Sequence, residues 1–247
     1  MTSKFRTMLK GVLNEEILVP RIRASLFDQK FEGFTIPVEG MAPRPPSGRF
    51  HPSSHPLWDE EKLYEYAKDP AKFQEVLELN SIFAVTQGSF WHAFIQNLGL
   101  NDGWLREMTP KAKYKHDRAE YRVDDQILGT GGYLDGVLNS DILPIVEDEV
   151  FEMKTMNSFK ANKCPQGAPD SDAKINWLRS TVPGYYAQAQ EYMRMTKYSH
   201  ARFLILTLEY PFPMMEIVVE HDKPWCDHIA AKYKRVRDRI AAENEQL

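Results

Sequence analysis

Eight residues, Glu149 to Met156, constrain the fold of this chain more than any other stretch. The run Glu-Val-Phe-Glu-Met-Lys-Thr-Met alternates as a strand does, placing Phe151 and Met153 on one face and Glu152 and Lys154 on the other. A second stretch, Gly-Tyr-Leu-Asp-Gly at 132–136, reads as a neighbouring strand. Paired side by side, the two bring Asp135 and Glu152 onto one divalent cation, with the Lys154 ammonium beside the same centre. Such a set is suited to metal-assisted hydrolysis of a phosphodiester. Each piece also has an ordinary reading: Asp-Gly between apolar residues is a hairpin-turn signal, and alternating charges are the usual solvated face of a half-exposed strand.

Two further elements decide between these readings. Upstream, Val85–Ile95 reads as a helix carrying His92 one turn after Gly88. A lone histidine among apolar neighbours is commonly a packed core residue. Downstream, Pro183 opens a helical run in which Gln188 and Tyr192, four apart, share a face; taken alone it is an ordinary amphipathic helix. Phe90, Trp91 and Phe94 around His92 suit core packing, or stacking on the bases of a frayed end.

In order, Gly-x-x-x-His, Asp-Gly, Glu-x-Lys and Gln-x-x-x-Tyr resemble the PD-(D/E)XK nuclease superfamily, within it the RecB-like and Cas4-like branch and phage recombination exonucleases. The matching residues, His92, Asp135, Glu152, Lys154, Gln188 and Tyr192, span residues 85 to 195. The resemblance implies an α/β fold, a central mixed β-sheet flanked by helices with a restriction-endonuclease-like α-β-β-β-α-β core. It implies one or two Mg²⁺ or Mn²⁺ ions held by His92, Asp135, Glu152 and the Met153 carbonyl. Lys154 would position or deprotonate the attacking water, and Gln188 and Tyr192 would orient Lys154 or hold the DNA strand. The implied activity is a metal-dependent exonuclease on double-stranded DNA ends, in phage-type recombination or DNA processing. A restriction-type or structure-specific endonuclease is the alternative, ahead of a non-catalytic DNA-binding protein.

Relatives with an iron–sulfur cluster use four cysteines, and only Cys164 and Cys226 occur here, so no cluster is expected. The segment from His51 to Glu61 is a loose version of a Ser-rich helix start seen in relatives; Ser54 before acidic residues is equally helix-start chemistry. DNA is the implied partner, and the relatives admit a homo-oligomer and a single-strand annealing protein. No P-loop motif occurs, so a motor would sit on another chain.

At 247 residues one domain over 1–247 is the simplest count. Within it, 1–56 is an N-terminal helix (4–19) plus an irregular Pro- and Gly-rich arm (33–56), and 85–221 is the catalytic core. The remaining expectations are helices at 59–69 and 71–78, broken at Asp69-Pro70, and strands at 118–125, 128–138 and 149–156. A long polar excursion near the site follows at 157–180, then the Gln188 helix, strands at 201–209 and 214–221, and a last helix from about 224. No apolar run approaches a membrane span and the first residues lack the apolar stretch of a secretory signal, so the cytoplasm is expected, the host's if the chain is phage-encoded. The net charge of −4 sits awkwardly with DNA until its distribution is considered: bound cations would offset the acidic site. Basic residues cluster at Lys111–Arg118 and Lys232–Arg239, where they meet phosphates or simply solvent.

Overall fold

The computed structural model describes residues 15–27, 46–74, 79–209 and 213–245. Among these residues three α-helices come first: α1 (Leu18–Phe27), α2 (Glu60–Lys68) and α3 (Leu79–Asn101). A hairpin of β1 (Tyr121–Asp125) and β2 (Thr130–Leu134) then leads into a four-stranded mixed sheet. Its strands, β3 (Gly136–Leu138), β4 (Glu149–Met156), β5 (His200–Thr207) and β6 (Met214–Glu220), lie in that order. β4 and β5 are parallel, so the chain must cross over between them. The crossover consists of α4 (Ser158–Ala161), α5 (Asp172–Thr181) and α6 (Pro183–Thr196), and α7 (Lys223–Asn244) closes the described chain.

Alternation along β4 separates the two faces of the sheet. Phe151 and Met153 join Leu204 and Leu206 beneath Leu18 and Ile22 of α1 and Ile95 and Leu98 of α3. Val150 and Met156 join Phe203 and Ile205 against Trp177 and Leu178 of α5 and Ala189, Tyr192 and Met193 of α6. Glu152 and Lys154 therefore belong to the α6 face. A third apolar cluster binds α2 and α7 to Phe50 and Leu128 at the hairpin tip.

One buried ion network ties α1 to this sheet. Arg202 of β5, with no exposed surface, donates to Glu149 Oε2 at 2.8 Å and to Glu216 Oε2 at 3.0 Å. Glu216 in turn accepts the N–H groups of Ile17, Leu18 and Val19 at 3.2, 2.8 and 2.8 Å. A carboxylate thereby meets the unsatisfied N–H groups and positive dipole end of α1. The edge of β6 is also occupied. Val218 N–H donates to Pro169 O, Lys174 Nζ to Glu216 O and Gln190 Nε2 to Glu220 O, which blocks another strand from pairing there.

The mixed sheet with flanking helices is the expected fold, and three local expectations change. The strand expected over 128–138 breaks at Asp135, because residues 130–134 pair with β1 and 136–138 with β4. The polar excursion over 157–180 holds two helices, with Ala161, Cys164, Trp177 and Leu178 buried in the α6-face core. Two of the polar residues there are caps: Asn157 accepts from Lys160 N–H and Ser171 from Lys174 N–H. The helix expected at 71–78 is a single 3-10 turn, Pro70–Phe73; 75–78 lie outside the described residues, as do most of the helix expected at 4–19 and residues 33–45 of the arm. No helix among the described residues is long and apolar enough to cross a membrane.

Candidate active site

The break at Asp135 makes the site. Continuing the β3–β4 register, in which Gly136 faces Phe151, by one step sets Asp135 opposite Glu152. The chain leaves the sheet there, so the Met153 N–H has no strand partner and donates instead to Asp135 Oδ2 at 2.8 Å. N–H and C=O of one strand residue project from the same edge, so the Met153 carbonyl opens into the same gap. From α3, Gln96 Nε2 donates to the Asp135 carbonyl at 2.8 Å and fixes its backbone. Gly88 lets α3 come this close: a Cβ there would stand 3.1 Å from Thr155 Oγ1 of β4.

Four of the expected side chains meet in this gap. Lys154 Nζ lies 2.7 Å from Glu152 Oε2 and 4.0 Å from Asp135 Oδ2, and His92 Nδ1 is 3.5 Å from Asp135 Oδ1. Burial pushes the Glu152 carboxyl upward, the Lys154 ammonium opposes this, and Asp135 adds to it; the net shift is up. At Asp135 burial acts in the same direction, but His92 and Lys154 outweigh it and hold the carboxyl below its usual range. Burial also works against the Lys154 ammonium, and the two carboxylates more than restore it.

Glu152 is fully buried, yet its Oε1 has no hydrogen-bond partner among the described residues. A buried, partnerless carboxylate oxygen beside a second carboxylate is costly unless a cation satisfies it. The donors fit a hard divalent ion. No three His, Cys, Asp or Glu side chains among the described residues form a metal cage. An ion here would draw on two carboxylates and a carbonyl, with water and substrate completing its shell, as Mg²⁺ commonly requires.

Gln188 and Tyr192 reach the site through the backbone. Gln188 Nε2 donates to the Tyr192 hydroxyl at 3.4 Å, and that hydroxyl donates to the Tyr133 carbonyl at 2.6 Å, two residues before Asp135. Arg194, one turn from Gln190, clasps Asp125 and Thr130 of the hairpin. α6 thus braces the strand that delivers Asp135. The brace needs Gly132, where a Cβ would stand 2.9 Å from the Tyr192 hydroxyl and 3.2 Å from Pro52 Cδ. Gly132→Ala is expected to cost roughly 1–3 kcal/mol by overpacking; an unchanged thermal melt would show that Tyr192 yields freely.

Three residues here were not anticipated. Gln96 lies four after His92, the spacing that puts both on one helix face. Tyr185, three before Gln188, holds its ring 5.4 Å from Lys154 Nζ. Glu120 precedes β1, and nothing in its local sequence marks it. Burial, with the charges of Asp135 and Asp117, raises its pKa to about 7. Between an ordinary glutamate pKa and 7 the folded chain keeps a proton that the unfolded chain loses, so this contribution to stability is present at acid pH and lost as pH rises through 7. Glu120→Gln is neutral throughout, and with chelator present it should match the parent at pH 4.5 and exceed it by roughly 2–3 kcal/mol at pH 8. Parallel stability curves for the two proteins would contradict this reading.

Around the gap the surface is uneven. A cleft of about 360 Å³ beside Tyr192 is lined by Arg49, His51, Ser53, Arg122 and Gly132, and there Arg49 and Arg122 share the single carboxylate of Asp124. Phe90, Trp91 and Phe94 contact one another, Phe90 being exposed and the others half-buried. Of the two basic runs, Lys111, Lys113 and Lys115 are exposed. The run on α7 serves the fold: Lys232 donates to the Pro56 and Trp58 carbonyls, Arg237 to the Gly48 carbonyl, and Arg235 and Arg239 pair with Glu60 and Glu61.

No protein-family model and no curated protein matches the chain. Among solved structures, the crystal structure of an alkaline exonuclease from Laribacter hongkongensis is similar, with 15% identity and a TM-score of 0.51, covering 81% of this chain and 91% of that one. That exonuclease in complex with dAMP matches over the same shares, at 15% identity and a TM-score of 0.46. The first likeness shows a shared fold with a restriction-endonuclease-like core.

Proposed function

We propose that this chain is a metal-dependent deoxyribonuclease of the PD-(D/E)XK type, an exonuclease acting at double-stranded DNA ends. The observation that carries this reading is the meeting of Asp135, Glu152 and Lys154 at a strand break, with one Glu152 oxygen buried and partnerless. The fold shared with an alkaline exonuclease supports exonuclease over other nuclease types.

Asp135, Glu152 and the Met153 carbonyl would hold one or two Mg²⁺ or Mn²⁺ ions, and His92, already against Asp135, would add a nitrogen donor better suited to Mn²⁺. A bound ion supplies Lewis acidity toward the phosphate and acidifies a water for attack. The chain's own groups do the rest. Lys154, held as an ammonium between two carboxylates, donates a hydrogen bond to the attacking water or to a phosphoryl oxygen and offsets charge building at phosphorus. Gln96 and the Met153 N–H hold Asp135 from both sides, and α6 fixes β2 through Tyr192. The arginine-lined cleft offers guanidinium groups to a phosphate of the same strand. DNA is then the partner; a homo-oligomer and a single-strand annealing protein belong to the same reading, as does a role in phage-type recombination.

Incubation with end-labelled linear DNA and with covalently closed circular DNA, with and without Mg²⁺ or Mn²⁺, tests it. Metal-dependent loss of linear DNA only is expected. Nicking of the circle would assign an endonuclease, and no cleavage of either would reject the reading.

A further inference from the structure

We infer that Phe159, with Lys160 and Lys163, is a stacking platform for a nucleobase of the strand being cut, next to the reacting phosphodiester. This inference rests on the nuclease reading above and deepens it by placing the bases. Phe159 is the most exposed aromatic side chain among the described residues, at 71%. Its own helix does not require that exposure: Ala161, on the opposite side of α4, is buried in the α6-face core with Met156. α4 therefore lies on the same face of the sheet as Glu152 and Lys154 and turns Phe159 outward. The strand rise puts its capping residue, Asn157, only about 10 Å beyond Lys154.

Charge accompanies the ring. Lys163 Nζ sits over one face of the Phe159 ring, 3.9 Å from its centroid, so a base would stack on the other face, and the Lys160 ammonium has no partner among the described residues. An exposed apolar ring with one ammonium over a face and a second lysine next to it in the chain matches a ligand that alternates π faces with phosphates, which is single-stranded nucleic acid. An apolar peptide would make no use of the two cations.

The test uses full-length protein with chelator, so that binding is read without cleavage. A dye-labelled single-stranded oligonucleotide and a duplex with a frayed end are titrated with the parent, Phe159→Ala and Phe159→Trp, and 2-aminopurine at the terminal position reports stacking. Phe159→Ala is expected to bind roughly tenfold more weakly, within the range known for one base–aromatic stack. Phe159→Trp should restore binding and the 2-aminopurine signal, and all three should melt alike. Hydrolysis of bis(p-nitrophenyl) phosphate, too small to reach the platform, should not differ among them. Equal affinity of parent and Phe159→Ala overturns the platform, as does a parent that binds no oligonucleotide. Reduced self-association with unchanged oligonucleotide affinity assigns the ring to a protein contact and also overturns it. If the parent binds with the expected pattern but never cuts DNA in Mg²⁺ or Mn²⁺, the nuclease reading fails while the platform stands.

Discussion

Lys154→Ala is expected to lower the rate of the proposed metal-dependent DNA cleavage roughly a thousandfold, the scale of one positioned proton donor or charge stabiliser, with DNA affinity little changed. The difficulty is that Lys154 also neutralises Glu152 at 2.7 Å, so its removal strands a buried carboxylate and costs stability as well. Glu152→Gln separates the two effects. It removes the charge in place, leaves Lys154 near Asp135, and should lose activity as completely while melting no lower than the parent. Single-turnover cleavage and thermal melts on both variants check this. Undiminished turnover in Lys154→Ala removes the lysine from the mechanism, and undiminished turnover in a folded Glu152→Gln moves the site elsewhere.

Arg202→Ala is expected to be the most damaging substitution remote from the chemistry. Arg202, Glu149 and Glu216 are all buried, and both carboxylates depend on the one guanidinium. Removing it leaves two buried charges unpaired, at roughly 3–5 kcal/mol, or about 6–20 °C in melting temperature for a chain of this size. The loss extends to α1, whose first N–H groups end on Glu216. Burial already pushes the Glu216 carboxyl up against the pull of Arg202. Without the arginine that carboxyl takes up a proton more readily, so the deficit should narrow as pH is lowered. A melt within a degree of the parent at neutral pH would show that the network contributes little.

The contrast between these two sites explains what could be read from residues alone. Glu152 and Lys154 were legible because strand alternation is local: two positions apart means one face, whatever the sheet does. Gln188 and Tyr192 were legible for the same reason on a helix. Asp135 reads as part of one strand over 128–138, whereas it sits at the break between two, which is not visible in sequence because it arises from two different partners claiming residues 130–134 and 136–138. Arg202, Glu149 and Glu216 come from three strands, and no spacing links them. Glu120 acquires its character from Asp135, fifteen residues away, and from burial that only the folded chain creates. The 157–180 segment misled because its polar residues serve as caps, Asn157 and Ser171, and fill helix positions such as Lys160, Asn176 and Arg179, while Trp177 and Leu178 face inward. The basic run on α7 misled less: its face is used by α2 and the segment before it, which a sequence cannot locate.

The central claim is that Asp135 and Glu152 together hold a divalent cation beside Lys154. Crystals soaked in Mn²⁺ and measured by anomalous scattering test it directly. The expected result is a peak about 2.2 Å from an oxygen of each carboxylate, absent from crystals of Glu152→Gln. A peak elsewhere, or none while Lys154 keeps its pairing with Glu152, would contradict it.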